Sequence, residues 1–120
     1  VLIWYAAGDS QLSDTARGIV DDFSQERLIS IASIWEMGIK SNIGKLAFKP
    51  DFESFIQNEF QLVGYDLLPI ELPHIFQMEK LPLHHRDPFD RIIIAQSLAE
   101  NIPVVTKDSI FGSYGAERIW

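Results

Sequence analysis

Four acidic side chains in this sequence have the types and settings for metal-assisted chemistry: Glu36, Asp87, Asp90 and Asp108. Three of them lie in one stretch, HHRDPFDRIIIAQSLAENIPVVTKD, from His84 to Asp108. Asp87 and Asp90 open an apolar helical segment through Asp87-Pro88-Phe89-Asp90. Asp108 follows the short apolar run Pro103-Val104-Val105-Thr106, and Glu36 lies just after another, Arg27 to Ile31. Acids at strand ends and helix starts are where a parallel α/β sheet gathers ligands, beyond the carboxyl ends of its strands. Gathered carboxylates repel, at roughly 3 kcal/mol for two charges ~5 Å apart in an effective dielectric of 20. Such a cluster persists with a cation or with a raised pKa. Oxygen-only ligands suit Mg²⁺ or Mn²⁺. The chemistry supported is attack of a metal-activated water on a phosphodiester.

Each acid also has a local structural explanation. Ser33-x-x-Glu36 matches a capping box, in which Glu36 would return a hydrogen bond to the cap residue. Asp87 followed by Pro88 reads as a helix N-cap with proline in the first turn. Asp90 would then be an acid at the third helical position, favoured by the helix dipole at ~0.3–1 kcal/mol. Asp108 could cap the turn Ser109-Ile110-Phe111. Thr106 could orient a carboxylate or a water, or serve only as a strand end. Arg86 and Arg91 flank the acids and would hold phosphate or pair with Asp87 or Glu100. Lys40, Lys45 and Lys107 are candidate RNA contacts. The adjacent His84 and His85 are expected to face solvent or a partner rather than a metal. Trp4, Trp35 and Trp120 are expected in the core.

The elements that must position these residues follow from apolar periodicity. Helices are expected over Leu12–Phe23 with Ser13 as cap, Ala32–Ile43, Asp51–Val63, Leu72–Lys80 and Asp87–Glu100. Short strands are expected at Arg27–Ile31, Asp66–Ile70, Pro103–Thr106 and Glu117–Trp120, with a turn of helix at Ser109–Phe111. Helices alternating with short apolar strands argue for an α/β fold with a parallel sheet.

The chain of 120 residues reads as a single domain, residues 1–120. No apolar run approaches the ~20 residues of a membrane span. The absence of cysteine excludes disulfides and thiolate metal sites and fits a cytoplasmic protein. Ten basic residues against seventeen acidic ones give a net charge of −7, which opposes broad nucleic-acid affinity built on phosphate neutralisation. Carboxylates engaged on metal ions would reconcile that charge with action on RNA.

Two segments carry a resemblance to a known family. ISIASIWEMGIKSNIGKL and LPLHHRDPFDRIIIAQSLAENIPVVTKDSIFGSYG resemble the PIN-domain ribonucleases, and among them the VapC-type toxins of bacterial toxin–antitoxin pairs. The resemblance implies a Rossmann-like fold with a short parallel sheet flanked by helices, and Mg²⁺- or Mn²⁺-dependent endonucleolytic cleavage of RNA. It implies a quartet of metal-holding acids, three of which map onto Glu36, Asp90 and Asp108. It makes Asp87 an accessory acid and Thr106 the hydroxyl neighbour. The partners it implies are an RNA substrate, a cognate antitoxin protein and a second copy in a homodimer, with no membrane. Phe48, Phe52, Phe55 and Trp35 form a region that could meet the antitoxin, with core burial as the other expectation.

The family pattern begins with an apolar strand ending in the first acid, followed by a helix that VLIWYAAGDSQLS resembles. That strand and its aspartate are expected upstream of Val1, and Asp9 does not replace the acid. A sheet without its middle strand should divide into two half-sheets. The competing reading is a catalytically silent PIN-fold module that engages an antitoxin. A phosphoacceptor domain would need an isolated mid-chain aspartate at a strand end, and none is evident.

Overall fold

A computed structural model describes residues 1–120. Seven helices and four short strands alternate along the chain. Helix α1 (Leu2–Ala7) and α2 (Asp14–Asp21) precede β1 (Leu28–Ser30), which runs directly into α3 (Ile31–Asn42). Then follow α4 (Phe52–Val63), β2 (Asp66–Leu68), α5 (Leu72–Glu79) and α6 (Pro88–Glu100). The chain closes with β3 (Val104–Val105), α7 (Ile110–Ser113) and β4 (Arg118–Ile119). Both strand pairings are parallel: β1 with β2, Leu28 opposite Asp66, and β3 with β4, Val104 opposite Arg118. They are separate two-stranded ladders.

Local chemistry sets most helix boundaries. Ser13 caps α2 by accepting from the Ala16 amide, and Asp51 caps α4 by accepting from Ser54. Glycine ends α4: Gly64 sits at φ 81°, where a side chain would be strained, and an added Cβ would lie 3.6 Å from the Arg27 guanidinium. Arg27 donates to the carbonyls of Val20 and Val63, in the last turns of α2 and α4. A cation there satisfies carbonyls that have no partner inside their helix and complements the dipoles.

One expectation is corrected at α3. Its N-cap is Ser30, whose Oγ accepts from the Ala32 amide at 3.1 Å. The strand passes into the helix without a loop, so Ser33 and Glu36 lie inside the helix and form no capping box. The capping box of this fold is instead at α5, where Glu71 accepts from the third helical amide and its own amide donates to His74 Nδ1.

Apolar side chains form two clusters. One surrounds α6: Ala32, Leu81, Ile92, Ile94, Ala95 and Phe111. The other joins α1, α2, α3 and the end of α4: Leu2, Val20, Met37, Val63 and Tyr65. Trp35 is not in the core; it is 60% exposed and meets Phe89 edge-on at 5.1 Å between ring centroids. Trp4 and Trp120 are half-buried against each other. Phe48, Phe52 and Phe55 are half-buried against the second cluster.

A buried amide ties α6 to the first ladder. Gln96 is 1% exposed; its Oε1 accepts from Ser30 Oγ at 2.6 Å and its Nε2 donates to the Pro69 carbonyl at 3.1 Å. Ser30 ends β1 and Pro69 follows β2, so one side chain sets α6 against the carboxyl ends of both strands. Gln96→Leu keeps the volume and strands a buried hydroxyl and a carbonyl. Urea denaturation should show a loss of about 2 kcal/mol; an unchanged midpoint would contradict this role.

Candidate metal centre

Asp87, Asp90 and His85 come together at the start of α6. Their potential ligand atoms all lie within 4.8 Å of one another, and all three residues are half-buried. The sequence there explains the geometry. Asp87 is the N-cap and accepts from the amides of Phe89 and Asp90 through Oδ1, while Pro88 fills the first helical position. Those bonds leave the other Asp87 oxygen for a ligand. Asp90, one turn in, projects back toward the cap residue.

Asp90 carries the electrostatic strain of the cluster. Its carboxyl pKa is raised, first by burial and then by the negative charges of Asp87 and Asp108; the His85 hydrogen bond opposes the rise. His85 Nε2 lies 2.8 Å from Asp90 Oδ2. A carboxylate that is desolvated and repelled by two others is a group that a divalent cation relieves. The donor set of carboxylate oxygens and one imidazole fits a hard or borderline divalent ion.

Asp108 approaches the same region from the end of β3. Thr106 Oγ1 accepts from the Asp108 amide at 3.1 Å, and Asp108 Oδ1 accepts from the Ile110 amide at 3.0 Å. Asp108 thus bonds the first amide of α7 from the position before its N-cap, Ser109, and Thr106 bonds the loop that carries it. Asp108 is exposed and stands outside the three-residue group, yet it is near enough to act on the Asp90 charge.

Glu36 is not brought into the group. It lies in α3, next to the Trp35 that contacts Phe89, the residue before Asp90. Its carboxylate is 3.4 Å from Lys40 Nζ, one helical turn on.

The flanking basic residues divide. Arg91 neither pairs with an acid nor faces solvent. It is 9% exposed and donates to the carbonyls of Leu81, Pro82 and His85 and to the Tyr114 hydroxyl. Glu100 pairs instead with the buried His74, at 2.7 Å. Arg86, beside Asp87, is exposed. Lys107, beside Asp108, is exposed with its ammonium 5.8 Å from the Trp4 ring centroid.

Sequence reasoning set His85 aside, and it is the residue most closely engaged with Asp90. The spacing of five between them, with a helix cap in the middle, was the available signal: a capped turn folds a loop residue back over the first helical turn.

The model of the PIN domain family matches residues 1–117. No curated protein sequence matches the chain. Among solved structures, the chain is similar to one in VapBC2 from Rickettsia felis bound to a DNA fragment from their promoter. The TM-score is 0.68 at 14% identity, over 99% of this chain and 94% of that one. No helix is long and apolar enough to cross a membrane.

Proposed function

The chain belongs to the PIN domain family, and from that premise we propose that it is a divalent-metal-dependent endoribonuclease, the toxin of a toxin–antitoxin pair. The observation that carries the reading is geometric: ligand atoms of His85, Asp87 and Asp90 lie within 4.8 Å of one another at the start of α6, with Asp108 near enough to act on the Asp90 charge. A half-buried carboxylate whose pKa is raised beside two other acids is a setting that a bound cation would relieve.

In this reading Asp90 and Asp108 hold the ion, Mg²⁺ or Mn²⁺, with Asp87 as accessory acid. Glu36 joins them by exchanging its contact with Lys40. When bound, the ion polarises a phosphate oxygen and makes water a stronger nucleophile. The protein's part is to fix the ligands and to orient the strand. The N-cap bonds hold Asp87, and Thr106 holds the Asp108 loop. Arg86 and Lys107, exposed on either side of the acids, offer cations to the flanking RNA phosphates. One of the carboxylates accepts the proton of the attacking water.

The assignment to a toxin–antitoxin pair is supported by the VapBC2 similarity and by the motifs in Ile29–Leu46 and Leu81–Gly115. It brings a cognate antitoxin, a homodimer and a cytoplasmic setting. A second reading, a silent PIN module that only engages an antitoxin, is favoured by one observation: Glu36 is paired with Lys40 outside the acidic group.

The full-length protein incubated with RNA decides between them. An endoribonuclease should cut internally with Mg²⁺ or Mn²⁺, stop when EDTA is added and resume when the metal is restored. Asp108→Asn should reduce the cleavage at least about 100-fold. Absence of metal-dependent cleavage by the unmodified protein rejects the enzyme reading.

A further inference from the structure

The hydrogen bond between His85 and Asp90 lies inside the group proposed to hold the cation, so an imidazole nitrogen and a carboxylate oxygen already meet there. His85 Nε2 and Asp90 Oδ2 are 2.8 Å apart, and Asp87 completes a group within 4.8 Å. A divalent ion held by this group would have the imidazole nitrogen and the Asp90 oxygen within reach as donors. Binding would displace the proton they share, because imidazole nitrogen and carboxylate bind a metal in their deprotonated forms.

We infer that His85 is a nitrogen ligand of the divalent ion, adding an imidazole beside Asp90 to the acids proposed to hold it. The inference rests on the reading that these acids hold a cation, and it assigns to that site a ligand beyond the acids.

The position of the imidazole is built rather than incidental. The His85 amide donates to the Tyr114 hydroxyl at 2.8 Å, and its carbonyl accepts from Arg91 Nη1 at 3.1 Å. Tyr114 follows α7 and Arg91 lies in α6, so the His85 backbone is held from two elements. His84, one residue earlier, points elsewhere: it is exposed and packs against the Tyr114 ring at 5.1 Å. Adjacent histidines thus have different surroundings, and only His85 meets the acids.

A nitrogen ligand changes which ion the site prefers. Imidazole suits transition ions, whereas Mg²⁺ favours oxygen and holds its water. The site should therefore bind Mn²⁺ more tightly than Mg²⁺, and His85 should carry most of that preference.

The test uses the full-length protein loaded with Mn²⁺. Pulsed electron paramagnetic resonance should show hyperfine coupling to an imidazole nitrogen. The coupling should disappear in His85→Ala and in His85→Gln and persist in His84→Ala, with circular dichroism establishing that each variant is folded. Calorimetry should show Mn²⁺ affinity falling about tenfold or more in His85→Ala, with Mg²⁺ affinity changed less than about threefold. Bound Mn²⁺ without nitrogen coupling overturns the ligand assignment while leaving the acidic site standing. The same holds for coupling that survives both His85 variants. Failure of the unmodified protein to bind Mn²⁺ overturns this inference and the proposed metal site together.

Discussion

Asp90→Asn is expected to abolish RNA cleavage and, in the same protein, to raise the thermal stability of the metal-free fold. The two effects share one cause. Burial and the charges of Asp87 and Asp108 lift the Asp90 pKa above its unfolded value. A carboxyl whose pKa is raised on folding adds stability below its unfolded pKa, where it is protonated. That stability is lost as pH rises through the folded value. At neutral pH the ionised group is therefore a burden, and a neutral amide of the same shape removes it. The gain should be largest at neutral pH and vanish in acid, where the native side chain is itself neutral. Asparagine also gives up an anion at the third position of α6, an opposing loss of about 0.3–1 kcal/mol from the helix dipole. The Asp90 pKa is raised even with the opposing His85 hydrogen bond, so the melting temperature should rise at neutral pH. Cleavage should meanwhile fall at least about 1,000-fold, since a neutral ligand neither holds the ion nor acts with its neighbours as a unit. Melting curves at acid and neutral pH, beside cleavage rates, are the measurement. A variant that cleaves normally removes Asp90 from the site. One that melts lower at every pH marks Asp90 as a structural acid.

The raised pKa of Asp90 is what the proposed ligand role rests on beyond capping, and it could not be read from spacing. Asp87, Asp90 and Asp108 each had a sufficient local explanation, and each does make or adjoin the cap bonds those explanations required. Capping and ligation are compatible, because a carboxylate has two oxygens and a cap uses one. What distinguishes Asp90 is desolvation and three-dimensional proximity, which depend on how α6 is set against the rest of the fold.

The fold itself was more legible than the site. Periodicity in the apolar residues located α2 to α6, with ends shifted by a residue or two, while α1 was expected only from the family resemblance. Ser30 shows why such shifts matter. A cap three residues earlier than expected moved Glu36 from a helix start into a helix interior, where Lys40 lies within reach one turn on. Trp35 was misread because a large aromatic on an apolar helix face is usually buried; here the face looks outward beside Phe89. His85 was misread because a loop residue offers no periodicity, and its position is decided by contacts from Arg91 and Tyr114 that come from distant elements.

Arg91 is the residue on which that loop depends, and replacing it should be the most damaging single change near the site. It is a buried guanidinium with no carboxylate partner. Its charge is met by the Leu81, Pro82 and His85 carbonyls and the Tyr114 hydroxyl. Arg91→Met keeps much of the stem packed in the α6 core but leaves those oxygens without their donor. Pro82 is exposed and His85 half-buried, so water recovers part of the loss. A net destabilisation on the order of 2–4 kcal/mol remains, read from urea denaturation. Arg91→Lys should recover little of it, because one ammonium cannot reach groups that the planar fork spans with two nitrogens. Local consequences should exceed the global ones. With residues 81–85 released, His85 loses its anchor and the stretch leading into the Asp87 cap loosens. Mn²⁺ affinity should then fall even at temperatures where the variant is fully folded. A methionine variant with an unchanged denaturation midpoint would show that the carbonyls are satisfied by solvent. One that is destabilised but binds Mn²⁺ normally would show that the loop does not set the site.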